Sequence, residues 1–336
     1  MKLATPRWWY QRDRGIAPIS RALLTPFGWV WAYVTARRIA RVTPIDSGAP
    51  VICVGNLTIG GSGKTPVVRA ILARLAASGV DAHVLSRGYG GRLKGPVRVD
   101  AEQHNAGDVG DEPLMLAAEA TVWVARDRVA GAMAATTDGA RVIVMDDGHQ
   151  NSRVKKALSL VVVDGETRDG EWPFGDGRVF PAGPMREPLV AGLARADAVI
   201  LLLPDGAPAA DPRLLATLGS HPVLNARLAP ATAPPAGRQM GFAGVAKPWK
   251  VERALRSAGC DLADFAAFPD HFAYDEPTLA QLANRARRLS AGLVTTEKDW
   301  VRLPVAWRPR VAAWPVQCVF DDPAALDQLL ARGVRR

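Results

Sequence analysis

The feature that most constrains this chain is the run from Val51 to Thr65. Four apolar residues, Val51-Ile52-Cys53-Val54, are followed by Gly55-Asn56-Leu57-Thr58-Ile59-Gly60-Gly61-Ser62-Gly63-Lys64-Thr65 and then by a helical pattern. A buried strand, a glycine-rich turn and a helix start form a phosphate cradle. The glycines let backbone N–H groups curl around phosphate oxygens, and the helix N-terminus adds its positive dipole end. Thr58, Gly60, Gly61, Ser62, Gly63, Lys64 and Thr65 are the expected nucleotide contacts. Lys64 reaches the terminal phosphates and Thr65 ligates Mg²⁺. The strict pattern has glycine five residues before Gly63, where this chain has Thr58, so the loop is a variant.

A second element completes the expected metal site. Val142-Ile143-Val144-Met145 runs into Asp146-Asp147. An apolar strand ending in carboxylates is how phosphate-loop folds hold Mg²⁺ or its water shell. Further apolar runs at His83–Leu85, Val122–Val124, Leu160–Val163, Val199–Leu203 and Leu293–Thr295 alternate with helical stretches such as Pro66–Ala77, Pro113–Ala120 and Pro277–Leu289. That alternation predicts an α/β fold: a phosphate-loop parallel sheet with helices on both faces, plus a second, smaller α/β domain. The expected division is a segment 1–41, a nucleotide domain 42–153, a second domain 154–320, and a C-terminal helix 321–336 packing back on the first domain. Residues 207–235, rich in Ala and Pro, read as partly irregular. The glycine- and proline-dense stretch 165–188 reads as a long ordered loop with a functional role.

Charge sets the first 41 residues apart. Lys2, Arg7, Arg12, Arg14, Arg21, Arg37, Arg38 and Arg41 stand against Asp13 alone, a local +7 in a chain of +9. The same segment holds Trp8, Trp9, Trp29 and Trp31 of the ten tryptophans. Its longest uncharged run, Ala22 to Ala36, is 15 residues, too short to span a bilayer. Basic flanks around an apolar, Trp-rich stretch predict an interfacial segment on an anionic membrane surface. The remaining +2 argues against nucleic acid as a partner. Three scattered cysteines, Cys53, Cys260 and Cys318, exclude a disulfide framework and fit a reducing cytoplasm.

Polar clusters follow several strands: Ser86-Arg87-Gly88-Tyr89-Gly90-Gly91, Gly110-Asp111-Glu112-Pro113, Arg126-Asp127-Arg128, His149-Gln150, Arg178 and Pro269-Asp270-His271. A phosphoryl acceptor hydroxyl needs a carboxylate or imidazole to orient it and take its proton, and Asp111 and His271 are the best residues by type. Alternatives stand beside them. Asp111 or Glu112 could serve as a helix cap, Arg87 as a surface charge and His271 as a turn residue.

Taken together, these clusters resemble the tetraacyldisaccharide 4′-kinase family of Gram-negative bacteria. The resemblance rests on the loop Gly55–Pro66, Ser86-Arg87-Gly88-Tyr89-Gly90, Gly110-Asp111-Glu112-Pro113, Asp146-Asp147-Gly148, Gly177–Pro184 with Arg186-Glu187-Pro188, Phe268-Pro269-Asp270-His271 and Thr296-Glu297-Lys298-Asp299. It covers nearly the whole chain and accounts for Thr58. It implies transfer of the γ-phosphoryl of ATP to the 4′-hydroxyl of an acylated disaccharide 1-phosphate lipid, by a monomeric peripheral enzyme on the cytoplasmic face of the inner membrane. It further implies Asp111 as base with His271 as partner, Asp146 and Asp147 near Mg²⁺, and Arg128 and Arg178 as further cations for phosphate charge. Where the family has Phe-Gln-His after the acidic pair, this chain has His149-Gln150-Asn151, and His149 reads as a packing substitute for the aromatic ring. Two rival readings are weaker. A GTPase would carry Asn-Lys-x-Asp, but Glu297 stands in the Asn position. A nucleotide-gated adaptor would have no use for Asp111 and His271.

Overall fold

The computed structural model describes residues 6–13, 15–204 and 206–335. Lys2 and Arg14 of the basic segment lie outside them. Helix α1 (Pro18–Ala40) comes first. Strand β1 (Val51–Gly55) then leads through the glycine loop into α2 (Lys64–Ala77) and β2 (Ala82–Ser86). Next come β3 (Val97–Arg98), the short helices α3 (Ala106–Val109) and α4 (Asp111–Leu116), β4 (Val122–Val124), α5 (Arg128–Thr137) and β5 (Val142–Asp146). The chain continues with β6 (Leu158–Asp164), α6 (Leu189–Leu193), β7 (Ala198–Leu202), α7 (Pro212–Leu218) and β8 (Val223–Pro230). A second series follows: β9 (Gln239–Ala243), α8 (Pro248–Ser257), β10 (Leu262–Ala267), α9 (Glu276–Arg288), β11 (Gly292–Thr296), α10 (Glu297–Trp300) and β12 (Val311–Trp314). The last elements are β13 (Val316–Phe320) and α11 (Pro323–Arg335).

The strands form a nine-stranded sheet, β13-β8-β7-β6-β1-β5-β2-β4-β3, and a four-stranded sheet, β10-β9-β11-β12. Both are parallel except at the β13–β8 and β3–β4 pairs. The strands read from sequence are buried on both faces, as parallel strands must be when helices cover them. One face of the large sheet packs Ile52, Val144 and Leu160 against Val68 and Ile71 of α2 and Leu326 and Leu330 of α11. The other face packs Cys53, Ile143 and Met145 against Val129 and Ala132 of α5.

The boundary expected at residue 153 falls inside this sheet. β5 and β6 both pair with β1, through Cys53↔Met145 and Cys53↔Ser159. Sheet connectivity instead places the break after β8, and the chain returns at β13. Strand and helix alternation does not reveal which strands pair, because parallel partners are distant in sequence. The stretch 207–235 contains a helix and an eight-residue strand. α11 packs on β1 and β6.

α1 is one helix with Pro26 inside it. It docks by Arg21, Gly28 and Thr35, spaced seven apart. A Cβ on Gly28 would lie 2.9 Å from the Val179 carbonyl, so only glycine permits the approach. Ile19, Leu23, Phe27, Val30 and Val34, spaced three or four apart, are all more than half exposed, and Trp29 is 70% exposed. Among the described residues no helix is long and apolar enough to cross a membrane.

Ile71→Ala removes a fully buried side chain from the α2 face. It should destabilise the protein by about 2–5 kcal/mol in denaturant unfolding. A smaller loss would mean that the cavity collapses.

Candidate active site

β1 and β5 lie side by side, and their C-terminal ends set the site. After β1 the loop turns with positive φ at Gly60 and Gly63, and Gly63 leads into α2. Gly55 has no room for a side chain, since a Cβ there would meet the His149 Cβ at 2.5 Å. The loop is held from outside by the 165–188 segment. Arg186 N–H donates to Leu57 O at 2.8 Å, Arg186 Nε donates to Thr58 O at 3.0 Å, and Ile59 N–H donates to Pro184 O at 2.8 Å. The second sheet unit touches the loop as well, because a Cβ on Gly61 would lie 2.8 Å from that of Ala246.

The two carboxylates after β5 differ sharply. Asp147, in a left-handed conformation, faces Lys64 Nζ at 3.5 Å and Arg186 Nη1 at 2.8 Å. Burial opposes its charge, but Lys64 and Arg186 outweigh burial and hold it well below the usual carboxylate range. Asp146 is 1% exposed, and neither of its carboxylate oxygens has a hydrogen-bond partner among the described residues. Burial pushes it up to about 7, with Glu112 adding to the shift and Lys64 opposing it. A buried carboxylate with both oxygens free is a costly arrangement unless a cation supplies the missing partner. Asp146 therefore fits a divalent ion beside the buried Thr65 at the start of α2. The described residues hold no group of three His, Cys, Asp or Glu suited to a metal. An ion here would draw on a hydroxyl, carboxylates and phosphate oxygens, as at phosphate loops.

Asp111, first residue of α4, is 6% exposed. His271 Nδ1 lies 2.8 Å from its Oδ2, and Arg302 Nε donates to the same oxygen at 2.7 Å. His271 adopts a left-handed backbone and its ring packs on Tyr89, centroids 5.4 Å apart. Burial opposes the Asp111 charge, yet His271, Lys298 and Arg302 hold the carboxyl well below its ordinary value. Next to it, Glu112 accepts from Lys298 Nζ at 2.9 Å, and Lys298 is pushed up by Glu112 and Asp111 against its burial. Asp111 and Glu112 come from the large sheet unit. His271, Lys298 and Arg302 come from the small one. The acid and its partners therefore meet across the junction of the two units.

Of the further cations expected, Arg128 interacts with Asp146 and Asp147, while Arg178 is engaged by Asp176 and α1. Arg128 is buried at the start of α5, where burial lowers it to about 10 while Asp146 and Asp147 oppose the shift. Arg178 pairs with Asp176 and donates through Nε to Thr25 Oγ1 of α1 at 3.2 Å. Arg186, eight residues on, pairs with Asp147. The sequence offers Lys298 only as part of the Thr296–Asp299 motif and Arg302 not at all, because nothing local shows that this stretch faces Asp111. His149 is buried as expected. Its Nε2 lies 2.9 Å from Gly192 O and its Nδ1 3.1 Å from Ser159 Oγ, and burial lowers it to about 4. Asn151 caps a turn, accepting from Arg153 N–H at 3.0 Å.

A family model described as Tetraacyldisaccharide-1-P 4′-kinase matches residues 20–335. The chain belongs to that family. Relatives called tetraacyldisaccharide 4′-kinase include one from Phenylobacterium zucineum, 68% identical over 98% of this chain and 99% of the relative. One from Caulobacter vibrioides is also 68% identical over 98% of each chain, and one from Maricaulis maris is 49% identical over 96% of this chain and 94% of the relative. A solved structure described as an "apo" form of LpxK from Aquifex aeolicus in complex with ATP shares the fold. Its TM-score is 0.74 at 23% identity, covering 94% of this chain and 99% of that one. As a member of the tetraacyldisaccharide-1-P 4′-kinase family, the chain is an ATP-dependent kinase with an alcohol group as acceptor.

Asp146 yields a pH test. Its folded pKa is raised from 3.8 to about 7, so its contribution to stability is full below 3.8 and is lost as pH rises through about 7. Asp146→Asn removes that loss. In chelator and without nucleotide, the stability of the variant relative to wild type should grow as pH rises from 3.8 to about 7, then level off. The slope should be about 1.4 kcal/mol for each pH step of one. A flat difference in denaturant unfolding across that range would mean that Asp146 is already satisfied as an anion.

Proposed function

We propose that this chain transfers the γ-phosphoryl of ATP to the 4′-hydroxyl of tetraacyldisaccharide 1-phosphate at the cytoplasmic face of the inner membrane. The single observation carrying this reading is the meeting of Asp111 and His271 beside a phosphate loop, in a chain of this kinase family. The Gly60–Thr65 backbone and Lys64 bind the triphosphate. Thr65, Asp146 and Asp147 would hold Mg²⁺, which when bound neutralises phosphate charge. Arg128 and Arg186 add fixed positive charge for the transferring group, as the largely electrostatic catalysis of phosphoryl transfer requires.

Asp111 accepts the proton of the acceptor hydroxyl as its oxygen bonds to the γ-phosphorus and the β–γ bridge breaks, giving ADP and the 4′-phosphate. His271 orients Asp111 by donating from Nδ1. His271, Arg302 and Lys298 keep Asp111 ionised, so it is always ready to accept. Its weak basicity is tolerable because a loose phosphoryl-transfer transition state makes little demand on early proton removal. The approach of the two units also excludes water, which would otherwise divert ATP to hydrolysis.

α1 supports the membrane site. Its small and polar face is docked and its apolar stripe points outward, the reverse of a core helix. Arg37 and Arg38 in its last turn suit anionic headgroups. A multiply acylated acceptor stays in the bilayer, since each exposed CH₂ costs about 0.8 kcal/mol. A monomer needs no further surface, and nucleic acid has no part in this reading.

In detergent micelles with labelled ATP and Mg²⁺, wild type should label the disaccharide lipid. Asp111→Ala should lose about 10²-fold or more in turnover, and Lys64→Ala should lose activity through the phosphates. Label released only as free phosphate would sink the acceptor assignment.

A further inference from the structure

The segment before α1 reaches the phosphate loop, and nothing in the kinase chemistry above uses it. The Tyr10 hydroxyl donates to the carbonyl of Ile59, inside the loop. It would also stand 3.1 Å from a Cβ placed on Gly60. The Ile59 N–H is taken by Pro184 O, so the loop is gripped at both polar groups of one residue, just before the positive-φ turn at Gly60. Tyr10, Thr58, Gly61 and Ser62 line a common small space. Burial raises the phenol, with Asp164 and Glu171 acting in the same direction, so the hydroxyl remains a donor.

On its other side Tyr10 is tied to α1. Arg21 is 1% exposed, and its Nη2 donates to Trp8 O at 2.6 Å and to Gln11 O at 2.7 Å, the carbonyls that bracket Tyr10. Its Nη1 donates to the buried Asp176 at 2.9 Å. Trp172 N–H donates to Tyr10 O at 2.7 Å. A buried guanidinium is costly unless its donors are used, and here Nη1 is taken by Asp176 and Nη2 fixes the chain on either side of one tyrosine, while Nε has no partner among the described residues. Hydrogen bonds therefore run from α1 through Arg21 and Tyr10 to the nucleotide loop.

We propose that Tyr10 is a positioning residue for the phosphate loop, held to that task by Arg21, so that the seating of α1 and the shape of the nucleotide site are set together. This rests on the loop being the ATP site, but not on the identity of the acceptor. The test is direct binding of a fluorescent ATP analogue with Mg²⁺ to the full chain in detergent, without acceptor lipid. Tyr10→Phe and Arg21→Lys should each weaken binding about 2- to 10-fold, the range spanned by one net hydrogen bond. The double variant should be no weaker than the weaker single one. In the lipid assay, Tyr10→Phe should raise KM for ATP while kcat and KM for the lipid stay within about twofold, with the melting temperature lowered by no more than about 4 °C. Wild-type nucleotide affinity in Tyr10→Phe would overturn the proposal, and so would additive losses in the double variant. Lys64→Ala, expected to abolish binding, checks the ATP site separately. Failure of wild type to label the lipid would bear only on the acceptor.

Discussion

The site depends on holding a large amount of charge out of water at the place where two neighbouring parallel strands end. β1 delivers Lys64 through its loop, and β5 delivers Asp146 and Asp147. Lys64 and Arg186 satisfy Asp147, while Asp146 is left without a partner among the described residues. Such an imbalance is expensive in an empty fold and useful in one built to receive a cation and a polyphosphate. The glycines follow from the same constraint. Gly55 lets His149 pack directly behind the loop, and Gly60 and Gly63 let the backbone turn where phosphate must approach.

The second consequence is that the acid and its supporting cations come from separate sheets. Asp111 and Glu112 open a helix of the large sheet unit. His271, Lys298 and Arg302 are set by the small one, where the fully buried Asp299 anchors Arg302 Nη1 at 2.8 Å and accepts from Gly244 N–H at 2.9 Å and Tyr274 Oη at 2.9 Å. Asp299 therefore has a structural task that its position beside the site could disguise as a chemical one. Arg69 of α2 also reaches Glu297 at 2.6 Å, so the junction is bridged on the nucleotide side too.

Contiguous motifs are readable from sequence. The strand, loop and helix from Val51, and the strand ending at Asp146, each carry their geometry within a short stretch of chain. Asp111 and His271 are readable as residue types, and their meeting comes from the family resemblance rather than from spacing. What cannot be read is long-range. Nothing local distinguishes Arg178, which fastens the 165–188 loop to α1, from Arg186, which reaches Asp147. Lys298 and Arg302 sit in a short helix and turn whose facing is decided by how the second sheet packs. The division at residue 153 fails for the same reason, because β6 follows β5 in sequence but lies on the opposite side of β1.

The small sheet unit leaves the large sheet after Pro230 and returns at Val316, and these two residues are partners in one antiparallel ladder. Both ends of this long excursion are thus pinned at a single point. A block inserted in this way can fluctuate, or even melt locally, without unzipping its host sheet. Its amides are free to exchange as a separate cooperative group. Its loss in a partly unfolded molecule would take His271 away from Asp111 while leaving β1 and β5, from whose ends the phosphate loop and the carboxylates spring, paired in the host sheet.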